Sequence, residues 1–201
     1  MYSSEEMKEI LKENCVNLRF HARGGQGGVT ASNLCVEAFY GYGICQPRFG
    51  AERMGSPTES YVRLSLNDDL IRSNEQVYAP HFVSVLDPSL LTEVDVTAGV
   101  PEGGWLIVNT TMNQEELQEL VGRTDINVAT IDATRIALEV LGRNITNTII
   151  LGALVRVSHL FSFEELSDAV MRRFKDEIAA KNIAAIEQAI EETCVYEIDK
   201  N

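Results

Sequence analysis

Val16-Asn17-Leu18-Arg19-Phe20-His21-Ala22-Arg23-Gly24-Gly25-Gln26-Gly27-Gly28-Val29-Thr30-Ala31 sets the architecture. Residues 16–21 alternate apolar and polar side chains, the period of a β-strand. The strand runs straight into four glycines in five residues. Ala31, Leu34, Cys35, Ala38 and Phe39 then recur at helical spacing, which predicts a helix over 29–40 ended by Gly41 and Gly43. A strand, a glycine turn and a helix in that order open a βα unit.

The same alternation continues outward. Residues 59–66 read as a second strand, followed by turn chemistry at Asn67-Asp68-Asp69. Residues 44–57 show no period and read as a long irregular loop, the kind that serves function or an interface. Three apolar runs, 82–86, 105–108 and 126–131, read as strands covered on both faces. Asn113 with Glu116 and Ser162 with Glu165 are capping boxes that start helices, and residues 133–141 predict a short helix. The last third is helical, with Ile183, Ile186 and Ile190 striping its final helix. The fold class is therefore α/β: a mostly parallel sheet with helices on both faces and a helical C-terminal third. Residues 15–201 form one domain. Residues 1–14 form an N-terminal helix or extension lying on the surface or on a partner.

Composition narrows the function. The 201 residues carry 30 Asp and Glu against 17 Lys and Arg, a net charge of −13. No basic face suits a nucleic-acid backbone, and the chain repels anionic membranes. No apolar run is long enough to span a bilayer and no apolar leader is visible, so a cytoplasmic location without membrane contact is expected. Cys15, Cys35, Cys45 and Cys194 lack metal-ligand spacing and read as free, core-filling thiols. His21, His81 and His159 are far apart in sequence. No metal site and no catalytic residue is expected on this chain.

Two segments can carry chemistry. Arg23, Gly24, Gly25, Gln26, Gly27 and Gly28 form a turn whose amides and helix dipole suit an anion. The alternative is that the glycines only allow a tight turn. A P-loop lysine is absent, and Thr30 stands where a dinucleotide fingerprint needs its third glycine, so ATP and NAD are disfavoured. The second segment, Arg48-Phe49-Gly50-Ala51-Glu52-Arg53-Met54-Gly55-Ser56-Pro57, combines guanidiniums, a carboxylate and a phenyl ring. It reads as an interface or as a solvated charged loop.

Residues 20–31 resemble the opening motif of the gamma subunits of pyruvate:ferredoxin oxidoreductase and related 2-oxoacid:acceptor oxidoreductases. Residues 49–57 look like that family's second motif and residues 147–154 its third, while Lys181-Asn182-Ile183 fits its closing helix. The resemblance implies a Rossmann-like module in a hetero-oligomer with alpha, beta and delta (ferredoxin-like) subunits. Thiamine diphosphate, Mg2+ and iron–sulfur clusters lie in those partners, and none is held by this chain alone. The complex oxidatively decarboxylates a 2-oxoacid such as pyruvate, takes coenzyme A as cosubstrate and passes electrons to ferredoxin or another acceptor. Carried over by position, Arg23 to Gly28 face an anionic group, most plausibly the coenzyme A phosphates. Arg48, Phe49, Glu52 and Arg53 face the subunit junction. Ala22 and Met54 depart from the family pattern, where glycine and arginine are common. Met54 leaves an aryl or branched-chain 2-oxoacid open as the substrate. A non-catalytic scaffold and a stand-alone nucleotide-binding protein are the competing readings.

Overall fold

The first strand, β1 (Val16–Arg23), has neighbours on both sides. A computed structural model describes residues 4–49, 54–71 and 77–198. The sheet has seven strands in the order β2-β3-β1-β4-β5-β6-β7. Its core is a parallel set: β1, β4 (Phe82–Val85), β5 (Trp105–Asn109) and β6 (Asn127–Ile131). Every residue of β4, β5 and β6 is buried, as their continuous apolar runs require. The flanks are antiparallel. β2 (Tyr42–Phe49) and β3 (Pro57–Ser65) form a hairpin beside β1, and β7 (Cys194–Tyr196) closes the far edge against β6.

Alternation along β1 assigns its two faces. Val16, Leu18, Phe20 and Ala22 enter the larger core. That core is covered by α1 (Ser4–Glu13), α2 (Gly28–Ala38), α5 (Ala133–Ile136), α6 (Ile149–Ser158), α7 (Phe163–Arg173) and α8 (Asp176–Glu192). Over β4 to β6 the opposite face is covered by a 3-10 turn at Pro88–Thr92 and by α4 (Gln114–Val121). A short turn of helix, α3 (Asp68–Ile71), follows β3. The capping boxes at Asn113 and Ser162 are both formed.

Two expectations need correction. The segment read as an irregular loop contains β2, paired with β3 along its whole length. As an edge strand it is half exposed on both sides, so it shows no apolar period, and Pro47 is tolerated because an edge leaves one row of amides unpaired. The N-terminal helix packs on the protein's own core by one face, its charged face staying exposed. Met7 and Leu11 are buried in the main core, and the Leu66 amide donates to the Leu11 carbonyl at 2.7 Å. Not all four thiols fill the core: Cys35 is buried, but Cys194 is exposed.

The helical layer depends on one close approach. A Cβ on Gly152 of α6 would lie 2.7 Å from the Ile186 carbonyl and 2.8 Å from the Ala189 Cβ, both on α8. Helix propensity alone favours Gly152→Ala by about 1 kcal/mol. Overpacking against a backbone carbonyl costs about 1–3 kcal/mol. The contact decides the sign: urea denaturation is expected to show Gly152→Ala less stable than the parent.

Candidate ligand site at the glycine turn

The turn after β1 is mostly glycine, so its shape comes largely from its surroundings and from one side chain of its own, Gln26. Gly25 and Gly27 adopt φ of 93° and 82°, left-handed values open to glycine. The Gly24 amide donates to the Ser56 carbonyl at 2.9 Å, and the Gly55 amide donates to the Gly24 carbonyl at 3.1 Å. These bonds bring the end of the second motif against the first. Within the turn, the Gln26 amide donates to the Arg23 carbonyl at 3.0 Å, and Gln26 Oε1 accepts the Arg23 amide at 2.8 Å. Gln26 Nε2 reaches across to Asp87, donating to Oδ2 at 2.5 Å.

Asp87 stands just beyond β4 and caps the 3-10 turn, accepting the Ser89 amide at 3.0 Å and the Ser89 hydroxyl. Burial raises its carboxyl, but Ser89, Gln26 and the Arg23 guanidinium outweigh it and hold the pKa below the ordinary carboxylate value. Arg23 is held in turn. Its Nε lies 3.4 Å from Asp87, Nη2 donates to Ser89 Oγ at 2.6 Å and to the Glu93 carboxylate, and Nη1 donates to the Gly55 carbonyl at 3.1 Å. The Glu93 hydrogen bond, partly offset by burial, raises the Arg23 pKa. The charge proposed for a ligand is thus already met by carboxylates.

What remains open is the start of α2. The Gly27 side offers no cap, and the amides of Gly28, Val29 and Thr30 donate to no described acceptor. They form the positive end of an eleven-residue helix. Asn147, just before α6, covers this entrance: a Cβ on Gly27 would lie 2.5 Å from Asn147 Nδ2. Asp87, Ser89, Glu93 and Asn147 escape a reading of the glycine motif alone. The Asp87-Pro88 pair, an N-cap followed by proline at the first helical position, is the sequence signal that could have found the first of them.

The second motif is only partly described. Glu52 and Arg53 lie outside the described residues, as does the side chain of Phe49, which ends β2. Arg48 is exposed and faces Glu59 across the hairpin; a hydrogen bond with Tyr61 raises its pKa. Met54 is 95% exposed beside the turn. Among the described residues, no group of three or more His, Cys, Asp or Glu is arranged to hold a metal ion, and no helix is long and apolar enough to cross a membrane.

His21, two residues before Arg23, is buried on the polar face of β1, with Nδ1 3.8 Å from Glu59 Oε1. Burial and the Arg19 guanidinium push its pKa down to about 4, against the pull of Glu59 and Asp95. The unfolded chain protonates this imidazole near pH 6.5, so the unfolded state binds the extra proton between the two values. This contribution to stability is complete above about pH 6.5 and falls as pH drops towards 4, at up to about 1.4 kcal/mol per pH unit. Denaturation midpoints across that range are expected to slope in the parent and to flatten in His21→Gln.

The pyruvate ferredoxin/flavodoxin oxidoreductase family matches residues 17–192. The chain is 45% identical over 186 residues to the pyruvate/ketoisovalerate oxidoreductases common subunit gamma of Thermococcus litoralis, covering 91% of this chain and 100% of that one. It is 39% identical over 180 residues to the pyruvate synthase subunit PorC of Methanothermobacter thermautotrophicus, covering 88% and 95%. The crystal structure of the pyruvate oxidoreductase subunit PORC of Thermotoga maritima superposes with a TM-score of 0.81 at 31% identity, covering 92% of this chain and 99% of that one.

Proposed function

The chain belongs to the pyruvate ferredoxin/flavodoxin oxidoreductase family as a gamma-type subunit of its 2-oxoacid oxidoreductase complexes, and we propose on that footing that its glycine turn receives the phosphates of coenzyme A. The observation that carries this reading is the open start of α2, where the amides of Gly28, Val29 and Thr30 stand together without an acceptor. A phosphate oxygen supplies acceptors to such amides and meets the helix dipole. Arg23 acts indirectly. Its bonds to Ser89, Gly55 and Glu93 fasten the turn, so the amides stand in place before a ligand arrives.

The redox centres belong elsewhere in the complex. That assignment follows the family; among the described residues no group of three or more His, Cys, Asp or Glu is arranged to hold a metal ion. Thiamine diphosphate, Mg2+ and the clusters are assigned to the alpha, beta and delta partners, with ferredoxin as the electron acceptor. This chain contributes no reacting group: it holds the cosubstrate and closes a crevice completed by its partners. Arg48, Phe49, Glu52 and Arg53 are assigned to that junction. The complex works in the cytoplasm. The Thermococcus litoralis relative bears a name that joins pyruvate with ketoisovalerate. Selection of the 2-oxoacid therefore rests with the partners, and pyruvate is the substrate proposed first.

One observation favours a pure scaffold instead: Arg23 is engaged by Asp87 and Glu93 rather than held free for a ligand. Steady-state kinetics of the assembled complex separate the two. In Arg23→Ala, loss of the fastening is expected to raise the Michaelis constant for coenzyme A about tenfold, near 1.4 kcal/mol, with kcat for the 2-oxoacid changed less. An unchanged constant favours the scaffold.

A further inference from the structure

Beyond Asn147, between residues 141–147 and the first turns of α8, lies a cavity of about 250 Å3 that plays no part in the reading above. Leu141, Ile145, Phe174 and Ile178 form its apolar wall. Two of them, Ile145 and Ile178, are exposed.

The polar groups around it differ in what they have left to offer. Asn182 is spent: its Oδ1 accepts the Thr148 hydroxyl at 2.7 Å, and its Nδ2 donates to the Ile178 carbonyl at 2.8 Å. Asn147 is half spent. Its Oδ1 accepts the Thr148 amide at 2.8 Å, but Nδ2 donates to no described acceptor although the residue is only 7% exposed. Arg143 pairs with no described acid. Lys181 is held only by Glu177, one helical turn away and 85% exposed, a pair that water screens and that releases the ammonium readily. No carboxylate side chain lines the cavity. The spare side-chain capacity is therefore donor capacity: one amide, one guanidinium and one ammonium.

That chemistry excludes most ligands. A sugar or a nucleoside brings hydroxyl and amino donors that these side chains cannot accept. An amine meets two like charges. A head that only accepts, attached to an apolar body, satisfies every free group and covers the exposed isoleucines. The volume falls below the usual range for drug-sized ligands, about 300–1,000 Å3, so the body is compact. Two cations at the mouth, with one exposed acid between them and solvent, stand out on a chain of net charge −13 and attract anions locally.

The geometry points to a second binding site here, for a monocarboxylate with a compact branched or aromatic tail. Arg143 and Lys181 take the carboxylate, Asn147 Nδ2 takes its second oxygen, and the tail fills the wall of Leu141, Ile145, Phe174 and Ile178. This site uses none of the turn amides, so it stands or falls apart from the coenzyme A reading, although Asn147 borders both places.

The test titrates the full chain with 4-methyl-2-oxopentanoate and with phenylacetate, followed by calorimetry and by the side-chain amide resonances of Asn147. Pyruvate and 4-methylpentylamine serve as controls for the tail and for the charge. Both apolar acids are expected to bind at least tenfold more tightly than pyruvate, to shift the Asn147 amide and to outcompete the amine entirely. Arg143→Ala and, separately, Ile178→Glu are each expected to weaken binding at least tenfold. Both positions face solvent, and an unchanged melting temperature confirms that the fold is intact. Equal affinity for pyruvate, binding of the amine, a silent Asn147 amide, or affinity indifferent to both substitutions overturns the assignment.

Discussion

The carboxylate of Asp87 holds together two parts of the chain that local structure alone would leave apart. It follows β4, caps the 3-10 turn and accepts Gln26 from the glycine turn, with Arg23 alongside. A turn made of glycines has the greatest conformational freedom of any segment in the unfolded chain, and ordering it is costly in entropy. Inside the turn only the bonds between Gln26 and the Arg23 backbone offset that cost. The charge-assisted bonds from Asp87, and through Arg23 from Glu93, supply the compensation from outside. They also consume the charge of Arg23. Any attraction the turn exerts on an anion then rests on backbone amides and the dipole of α2, about half a unit charge at its N-terminus.

The two halves of the sheet are stabilised differently. Over β4, β5 and β6 the face opposite the main core is apolar and closed by Leu90, Val96 and Leu117. Over β1 and β3 the same face carries Arg19, His21, Tyr61 and Arg63. Arg19 satisfies part of its guanidinium by donating Nη2 to the Val96 and Ala98 carbonyls at 2.8 and 2.9 Å. Asn17 Oδ1, Arg19 Nε and His21 Nε2 are buried and meet no partner among the described residues. Orphaned polar atoms of this kind cost free energy, so the hairpin side gains less from burial than the parallel side. Burial also keeps His21 neutral, which spares the sheet a second buried cation beside Arg19.

That asymmetry explains what could be read from the sequence. β4, β5 and β6 announce themselves as apolar runs because both of their faces are covered. The start of α4 is legible at Asn113 because capping is a local matter of residues three apart. β2 is not legible: its outer edge is unpaired, its residues are half exposed, and Pro47 and Arg48 break any period. β7 is three residues long, too short to show alternation, and depends on its pairing with β6. At the site, the glycines are visible because positive φ leaves a local trace. Asp87, Glu93 and Asn147 are not, because they reach the turn from more than 60 residues away in sequence, through tertiary packing alone.

Asn147 is where those long-range contacts converge. Its side chain lies against the position a Gly27 Cβ would occupy, and the same residue lines the cavity beside the first turns of α8. Its carbonyl oxygen is fixed by the Thr148 amide, which orients the ring of contacts and leaves Nδ2 as its one uncommitted group. A single rotamer therefore serves both places. If the amide turns to meet a ligand in the cavity, it changes its packing on the entrance to α2; if the α2 entrance is occupied, the amide is held where it stands. Coupling between the two needs no transmitted motion through the core, only the shared side chain.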